Sequence, residues 1–403
     1  TSGTVKVSGA GSAVVEVSAA TSNTDFSTIL ALTTPANETI EFTANSTFTG
    51  DFGNSNILVD SGATLTTNFA TKLNGKVNVL SGTGNVTLTD TNVDASDVND
   101  VAGKISGVVT ATITDGAVTD TLNAITNVET TDLITFTTTD TSADASDIVA
   151  LNEKVDNFTV TSINTITEDA ATIGTNAATV TQALTITGGT EAVVITGAIS
   201  AANTNTIATA TNGVVTATIT SGAVKATLDA ITNVETTDLI TFTTTDTSAD
   251  ATDIVALNAK VDTFGVNTIT TVTEDAGSIG VNAVNVTNAI GIVGNTHAVT
   301  ITGNISATDA NYILNESVNG TSGIVTAVIT ADSAANLKTN LANATATDAL
   351  TLTVTGTTAT AIDLNALDGK TSVDVIVNAT SVTGNFVDLN TLYVTNKDNF
   401  ASL

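Results

Sequence analysis

The sequence predicts a mainly β fold: a parallel β-solenoid whose coils of about 25 residues each contain a strand, a turn and a short helix. Three observations lead to this prediction. The segment 124–145 recurs unchanged as 230–251, so a long unit has been duplicated. A shorter period of about 25 residues runs inside that unit. Hydrophobic residues make up 41% of the chain, and the β-branched ones among them favour strands.

The strand half of each coil alternates apolar residues with threonine. In the coil that begins at Asp132, Ile134 and Phe136 fall on one face of the strand and the threonines fall on the other. Because coils stack, equivalent threonines are expected to form ladders on the outer face. The period predicts two such ladders: Thr110, Thr112 and Thr114 over Thr135, Thr137 and Thr139, and Thr216, Thr218 and Thr220 over Thr241, Thr243 and Thr245.

The helical half of each coil is short and amphipathic. In residues 141–155, Ile148, Leu151 and Val155 recur at helical spacing, and Ser142 or Asp144 can cap the helix start. A single coil cannot cover both its strand face and its helix stripe. Stacking on the coils above and below is therefore expected.

The repeats also predict the domain organisation. Residues 1–106 follow the pattern loosely and form a divergent β-rich region, either the first part of the solenoid or a separate small β-domain. The first long repeat covers 107–212, the second covers 213–322, and further C-terminal coils cover 323–403.

The charge of the chain argues against several classes of partner. Its basic residues are 10 lysines, against 40 Asp and Glu, which gives a formal net charge of -30. Such a chain repels nucleic acid and anionic membranes, so no nucleic-acid partner is expected. No apolar run approaches the roughly 18 to 20 residues that span a bilayer, so membrane insertion is not expected either. The absence of cysteine excludes disulfides and thiolate sites.

No catalytic site is predicted. His297 is the only histidine, and the pattern places it in a turn at the entry to a strand. The best carboxylate pairs, Glu168 with Asp169 and Glu274 with Asp275, recur in both long copies, whereas a catalytic site normally interrupts a repeat once. Sugar-cleaving sites also need aromatic platforms, and aromatic residues make up 3% of the chain.

Acidic turns are the candidate metal site, with calcium as the candidate cofactor. Calcium prefers hard oxygen ligands, and two equivalent turns bring several carboxylates close together in sequence. Helix capping and solvation are the alternative explanation of the same residues. The candidate ligands are Asp140, Asp144 and Asp147 in the first copy and Asp246, Asp250 and Asp253 in the second.

Three units share a helical core that follows a threonine-rich strand: A-S-D-I-V-A-L-N from Ala145, A-T-D-I-V-A-L-N from Ala251 and A-I-D-L-N-A-L-D from Ala361. These units resemble the repeats of large secreted surface proteins of aquatic bacteria, a group of S-layer-like coats, surface filaments and giant adhesins. The resemblance covers residues 85–397. It implies an extracellular structural or adhesive role and carries no site residues.

The expected function is that of a non-enzymatic structural subunit in an extracellular assembly. The sequence starts at Thr1 and contains no methionine, so processing during secretion and a place at the cell surface are expected. Open solenoid ends are templates for strand pairing, so copies are expected to join head to tail, by stacking or strand donation, into a filament, tube or surface layer. The cell envelope or neighbouring cells are candidate partners. The alternative is an adhesin module that acts as a spacer, or whose threonine ladder binds ice, mineral or glycan.

Overall fold

The computed structural model describes residues 4–7, 13–18, 38–48, 50–53, 55–173, 177–279, 283–315 and 323–401. Across them the fold is mixed α/β, with many short parallel strands in several sheets and about as much helix as strand. The expectation of a mainly β fold therefore understates the helices. The chain divides into two compact units, the first made of Thr1–Thr196 with Ala210–Val214 and the second of Gly197–Thr209 with Val215–Leu403.

The strands of the first unit are short and, apart from one hairpin, parallel. Their bounds are β1 (Thr4–Val7), β2 (Ala13–Val17), β3 (Thr39–Phe42), β4 (Ser46–Phe48), β5 (Asn56–Val59), β6 (Thr64–Thr67), β7 (Leu80–Gly82), β8 (Asn85–Leu88), β9 (Val109–Thr112), β10 (Leu133–Thr137), β11 (Ser142–Asp144), β12 (Asn157–Thr159), β13 (Thr165–Asp169) and β14 (Ala192–Ile199), which ends in the second unit. One sheet has the order β1-β2-β3-β5-β7, and a second has the order β12-β10-β9-β8-β6-β4. Strands β11, β13 and β14 adjoin in a third sheet. Of the paired strands described in this unit, only β1 and β2 run antiparallel.

Helices of the first unit connect successive strands and pack on one another. Their bounds are α1 (Ala95–Ala102), α2 (Val118–Ala124), α3 (Ala145–Lys154), α4 (Ala170–Ile173) and α5 (Ala178–Thr187). Helix α3 contacts both α2 and α5. It turns Ala145, Ile148 and Leu151 inward, which confirms the predicted spacing of its apolar face.

The second unit repeats this plan. Its strands are β15 (Val215–Gly222), β16 (Leu239–Thr244), β17 (Ser248–Asp250), β18 (Thr263–Gly265), β19 (Thr271–Asp275), β20 (Ala298–Ile305), β21 (Val325–Ile329), β22 (Ala349–Thr351), β23 (Thr353–Val354), β24 (Thr358–Thr360), β25 (Ile376–Val377) and β26 (Ser381–Thr383). Strands β15, β16 and β18 adjoin, and β17-β19-β20-β21-β22 form a further parallel sheet. Two small parallel pairs, β23 with β25 and β24 with β26, follow.

Helices of the second unit again lie between strands. They are α6 (Ala201–Ala210), α7 (Val224–Ala230), α8 (Ala251–Asn258), α9 (Ala276–Ile279), α10 (Ala283–Val293), α11 (Ala307–Leu314), α12 (Ala334–Asn340), α13 (Ala361–Asp368) and α14 (Phe386–Asn390), with the last residue of α6 in the first unit. No helix within the described ranges is long and apolar enough to cross a membrane.

The duplicated sequence folds the same way in both units. Phe136 stacks on Phe158 with ring centroids 5.8 Å apart, and Phe242 stacks on Phe264 at 5.9 Å. Both Phe136 and Phe242 are fully buried. The duplication therefore preserves packing between neighbouring strands as well as local structure.

The register between strands differs from the predicted ladders. Thr110 lies opposite Leu133, and Thr112 lies opposite Thr135, so the predicted alignment is wrong by two residues. The second copy shows the same shift, with Thr218 opposite Thr241. A shift by two residues leaves every side chain on the same face, and the predicted register would pair the inward residues Ala111 and Phe136, so burial alone does not select the register. The observed register includes a hydrogen bond from the Val109 N–H to the Asp132 carboxylate, which joins the start of β9 to the next coil. The sequence period measures the length of a coil, which is not constant along the chain.

Candidate functional site

The carboxylates of the candidate calcium ligands Asp140 and Asp246 accept hydrogen bonds from the first residues of two helices. The Asp140 carboxylate accepts a hydrogen bond from the backbone N–H of Val118 at 2.7 Å, and Asp246 accepts one from Val224 at 2.7 Å. Val118 and Val224 are the first residues of α2 and α7, each in the preceding coil. First-turn N–H groups have no partner inside their helix, and a negative charge stabilises that end.

Asp144 and Asp250 cap the helices of their own coils. Asp144 accepts from the N–H groups of Ser146 and Asp147, which confirms the predicted cap of α3. Asp250 caps α8 in the same way. Burial, with added repulsion from Glu168, raises the pKa of Asp144 above its ordinary value.

Asp147 and Asp253 complete the candidate set and occupy the first turns of these helices. Asp147 accepts a hydrogen bond from the hydroxyl of Thr119 in the preceding coil. Burial, and then the nearby charge of Asp250, raises the pKa of Asp253. No group of three or more acidic or histidine side chains that could hold a metal occurs in the part of the chain that the structure describes. Calcium binding by these six residues stays a prediction, and the structure gives them contacts at helix ends.

A set of buried aspartates, absent from the sequence-based candidates, joins consecutive coils. Asp238 accepts from the N–H of Val215 at 2.8 Å with one carboxylate oxygen and from the N–H of Glu235 at 2.9 Å with the other. Val215 begins strand β15 of the preceding coil. The carboxylate thus fixes the strand start to the next coil. The equivalent residues are Asp132, which binds Val109 and Glu129, and Asp348, which binds Val325 and Thr345.

The sequence does carry a signal for these aspartates. Each follows a threonine and precedes an alternating strand, as in Thr237-Asp238. Each is almost completely buried, which is unusual for a carboxylate without a compensating cation. A charged residue at the start of an apolar strand, repeated in three coils, could have been recognised as a buried hydrogen-bond acceptor.

Lysines form a second series of contacts between coils. The ammonium group of Lys260 donates to the carbonyl oxygens of Ile231, Thr232 and Val234, each at 3.1 Å. Ile231 is the C-cap of α7, so the lysine satisfies carbonyls at and beyond a helix end, where a cation is favourable. Lys154 and Lys370 bind the preceding coil in the same way, and all three lysines lie 22 residues after a buried aspartate.

Replacing Lys260 by methionine is expected to lower the free energy of unfolding by about 1 kcal/mol, because three carbonyl oxygens lose their donor while the aliphatic stem is kept. Chemical denaturation followed by circular dichroism measures the change. Lys225→Met is the control with the same loss of charge, since Lys225 is exposed and pairs with Asp229 within one helix. Equal shifts in the two variants would show that the bonds between coils contribute nothing.

Asparagines supply a third series. The side-chain oxygen of Asn205 in α6 accepts from the N–H of Asn233 at 2.6 Å. Two further pairs repeat this bond at 2.6 and 2.7 Å: Asn99 with Asn127, and Asn311 with Asn343. Each pair joins residues about one coil apart, so a polar side chain on a helix again binds the backbone of the following coil.

One ion pair joins neighbouring helices near the C-terminal end of the described chain. The Lys338 ammonium in α12 lies 2.8 Å from a carboxylate oxygen of Asp363 in α13. The hydrogen bond from Lys338, followed by one from Thr360, lowers the pKa of Asp363 below its ordinary value of 3.8. Burial, with repulsion from Lys338, lowers the pKa of Lys370.

The Lys338–Asp363 pair is expected to stabilise the second unit at neutral pH and to lose this effect in acid. Because the folded state lowers the pKa of Asp363, the stabilisation is present above the unfolded value and disappears as the pH falls through the folded value. The difference in unfolding free energy between the wild type and Lys338→Met should therefore shrink below pH 4. Carboxyl titration by NMR should show a higher Asp363 pKa in Lys338→Met, and an unchanged pKa would contradict the assignment.

The residues considered as catalytic candidates in the sequence also make structural hydrogen bonds. The ring Nδ1 of His297 lies 2.6 Å from the carbonyl oxygen of Gly294, in a turn as expected. Glu168 accepts from the Ser146 hydroxyl at 2.6 Å, and Glu274 accepts from the Thr252 hydroxyl at 2.7 Å. Asp169 and Asp275 accept from the hydroxyls of Thr196 and Thr302. The two copies keep matching contacts between coils.

A shallow depression on the first unit is lined by small and apolar groups and contains no titratable side chain. It lies beside the C-terminal end of α5, where Gly188 and Gly189 take positive φ angles. Its lining residues are Thr181, Leu184, Thr185, Gly188, Gly189 and Ala210. The side chains that line it therefore supply two hydroxyl groups and no carboxylate, imidazole or amine.

The chain matches no protein-family model, no curated protein and no solved structure.

Proposed function

We propose that this chain is a non-enzymatic structural subunit in which successive coils stack as a parallel β-solenoid, and that copies assemble into an extracellular filament, tube or surface layer. One observation carries the proposal. The polar side chains that could have built a site instead bind the backbone of neighbouring coils, at equivalent positions in both units.

The buried aspartates are the strongest support for this proposal. An isolated buried carboxylate is costly, and Asp132, Asp238 and Asp348 are tolerated because each accepts two backbone hydrogen bonds. An enzyme concentrates such groups in one cleft. In this chain they recur along the stack, where they fix the spacing between coils. This distribution supports a mechanical role and argues against a catalytic one.

The parallel pairing of strands from successive coils supports the solenoid itself. Pairs such as Thr326 with Ala349 and Thr353 with Ile376 join residues 23 positions apart. Stacked repeats contact mainly their neighbours, so such a body can lengthen without a change in its cross-section. That property suits a filament or a coat.

The threonines on the outer faces of the strands give less support to the alternative function, an adhesive surface. A column of four threonines runs from Thr47 through Thr66 and Thr87 to Thr110, and the next position is Leu133. A lattice-matching surface needs a longer uninterrupted array. An adhesin spacer, which holds a ligand domain away from the cell, remains the second candidate, and it requires stacking without self-assembly.

Self-assembly of the purified chain tests the proposal. Sedimentation velocity and negative-stain electron microscopy over a wide concentration range should show regular assemblies that grow with concentration. Calcium chloride should promote assembly because the net charge of -30 opposes it, and sodium chloride at equal ionic strength separates screening from specific binding. A monodisperse monomer at every concentration in both salts would contradict the proposal and favour the spacer.

A further inference from the structure

Helix α14 and the helical turn Thr391–Thr395 that follows it expose a cluster of large apolar side chains. Phe386 is 83% exposed, Val394 70% and Val387 69%. Tyr393 and, on the adjoining helix α13, Ile362 are also exposed. These five residues define the C-terminal apolar face. A surface that exposes this many large apolar groups marks an interaction site more often than a free surface.

The equivalent helix positions in earlier coils lie beneath the next coil. Helices α3, α8 and α13 begin with Ala145, Ala251 and Ala361, all fully buried. Helix α14 begins with Phe386 instead. The close packing over Ala361 leaves little space, since a Cβ on Gly384 would lie 2.9 Å from the Ala361 Cβ. A coil stacked in the usual way therefore has no room for a phenylalanine, and the face fits a different occupant.

The distribution of charge identifies where a second copy can approach this face. All of the net charge of -30 lies between residues 25 and 388. In residues 389–403 Lys397 balances Asp398, and in residues 1–24 Lys6 balances Glu16. Tyr393 and Val394 of the face lie in the neutral segment 389–403, and Phe386 and Val387 directly precede it, with Asp388 at its border. Two copies of so acidic a chain repel each other least where the two neutral segments meet.

The neutral segment 1–24 contains the hairpin of β1 and β2. Strand β1 pairs antiparallel with β2 and lies at the edge of its sheet, in the order β1-β2-β3. Strand β26, which directly precedes α14, lies at the edge of a two-stranded sheet, whereas residues 399–401 pair with Val375 beside β25. Strand edges offer backbone groups to another chain, so both surfaces can extend a sheet.

We infer that the C-terminal apolar face binds the β1–β2 hairpin of a second copy of this chain. The inference rests on the proposed function and identifies its contact surfaces. The contact is heterologous, since each copy uses two different surfaces, and it therefore propagates from copy to copy. The apolar side chains supply the affinity, and the neutral charge of both segments permits the approach.

Substitution on the face tests the contact in the full-length chain. The triple variant Phe386→Ser, Val387→Ser and Val394→Ser should weaken self-association by about tenfold or more in sedimentation equilibrium. The matched control is the triple variant Leu239→Ser, Val284→Ser and Ile324→Ser, whose three residues are also exposed in the second unit. The control should assemble like the wild type. Thermal melting by circular dichroism checks that both variants remain folded.

Cysteine cross-linking gives a second readout that does not depend on affinity. The chain has no cysteine, so single substitutions introduce unique thiols. A mixture of Thr4→Cys and Val394→Cys chains should form mixed cross-linked dimers under mild oxidation. Each variant alone should form few cross-linked dimers. A Val394→Cys homodimer as the main product would overturn the head-to-tail contact in favour of a symmetric one.

The outcomes separate this inference from the proposed function. If the wild type assembles and the face variant assembles equally well, the inference fails and the proposed function stands. If the wild type stays monomeric under all conditions, both the self-assembly and this contact are wrong. Loss of assembly in the face variant alone, with mixed cross-links, establishes the contact.

Discussion

Replacing Phe242 by alanine is expected to lower the free energy of unfolding of the second unit by about 3 to 5 kcal/mol. Phe242 is fully buried on β16, and its ring stacks on Phe264 of β18. Its removal leaves a cavity between two coils that the close packing on both sides prevents from collapsing. Guanidinium denaturation followed by circular dichroism measures the loss.

Two further variants make this result specific. Leu239→Ala lies on the same strand, but its side chain is 50% exposed, so a change below about 1 kcal/mol is expected. Phe136→Ala removes the duplicated contact in the first unit and should cost as much as Phe242→Ala. Similar small shifts for Phe242→Ala and Leu239→Ala would contradict the buried contact between strands.

Replacing Asp238 by alanine is expected to destabilise the second unit by about 2 kcal/mol. The change leaves the buried N–H of Val215 without an acceptor, which costs about 1 to 3 kcal/mol, and it removes the acceptor of the Glu235 N–H, which lies nearer the surface. Asp238→Asn keeps one acceptor oxygen and should lose less. The shift in denaturation midpoint, measured as for Phe242→Ala, checks both values.

The control for Asp238 is Asp262→Ala, which removes the same charge from an exposed position. The negative charge of the chain is large, so removing a carboxylate can stabilise by relieving repulsion. Asp262→Ala therefore measures the charge effect alone. If Asp238→Ala unfolds at the same denaturant concentration as Asp262→Ala, the buried aspartate does not hold the coils together.

The sequence is sufficient to predict the elements that depend on local pattern. The Asp144 cap and the inward positions of Ile148 and Leu151 follow from spacing alone, because capping and helical periodicity act within a few residues. The parallel pairing of successive strands follows from the repeat. These predictions are confirmed in both copies of the duplicated segment.

The prediction of a mainly β fold underestimates the helix content, because it rests on the abundance of β-branched residues. Helix α5 has the sequence ATVTQALTIT, whose β-branched residues favour a strand. It is helical because Val180, Ala183 and Leu184 fall on one buried face. The hydroxyls of Thr185 and Thr187 are accommodated in the helix by hydrogen bonds to carbonyls one turn earlier. Tertiary packing overrides weak local preference at such sites.

The register and the contacts between coils depend on partners far apart in the sequence. The observed register, which places Thr112 rather than Thr110 beside Thr135, includes the bond from the Val109 N–H to Asp132. The period of the repeat does not show this bond, and the alternation of inward side chains fits either register. The bonds of Lys260 to the preceding coil are equally hidden, because its partners are backbone carbonyls that carry no sequence signal.

Engineered disulfides test the stacking of coils most directly. Thr112 and Thr135 are paired residues on adjacent parallel strands, roughly 5 Å apart, which a disulfide can span. The double variant Thr112→Cys with Thr135→Cys should form an intramolecular disulfide with little change in stability. Thr110→Cys with Thr135→Cys, which the bare sequence period would pair, should remain reduced. Failure of the first pair to close, or closure of the second in its place, would contradict the stacked arrangement of coils.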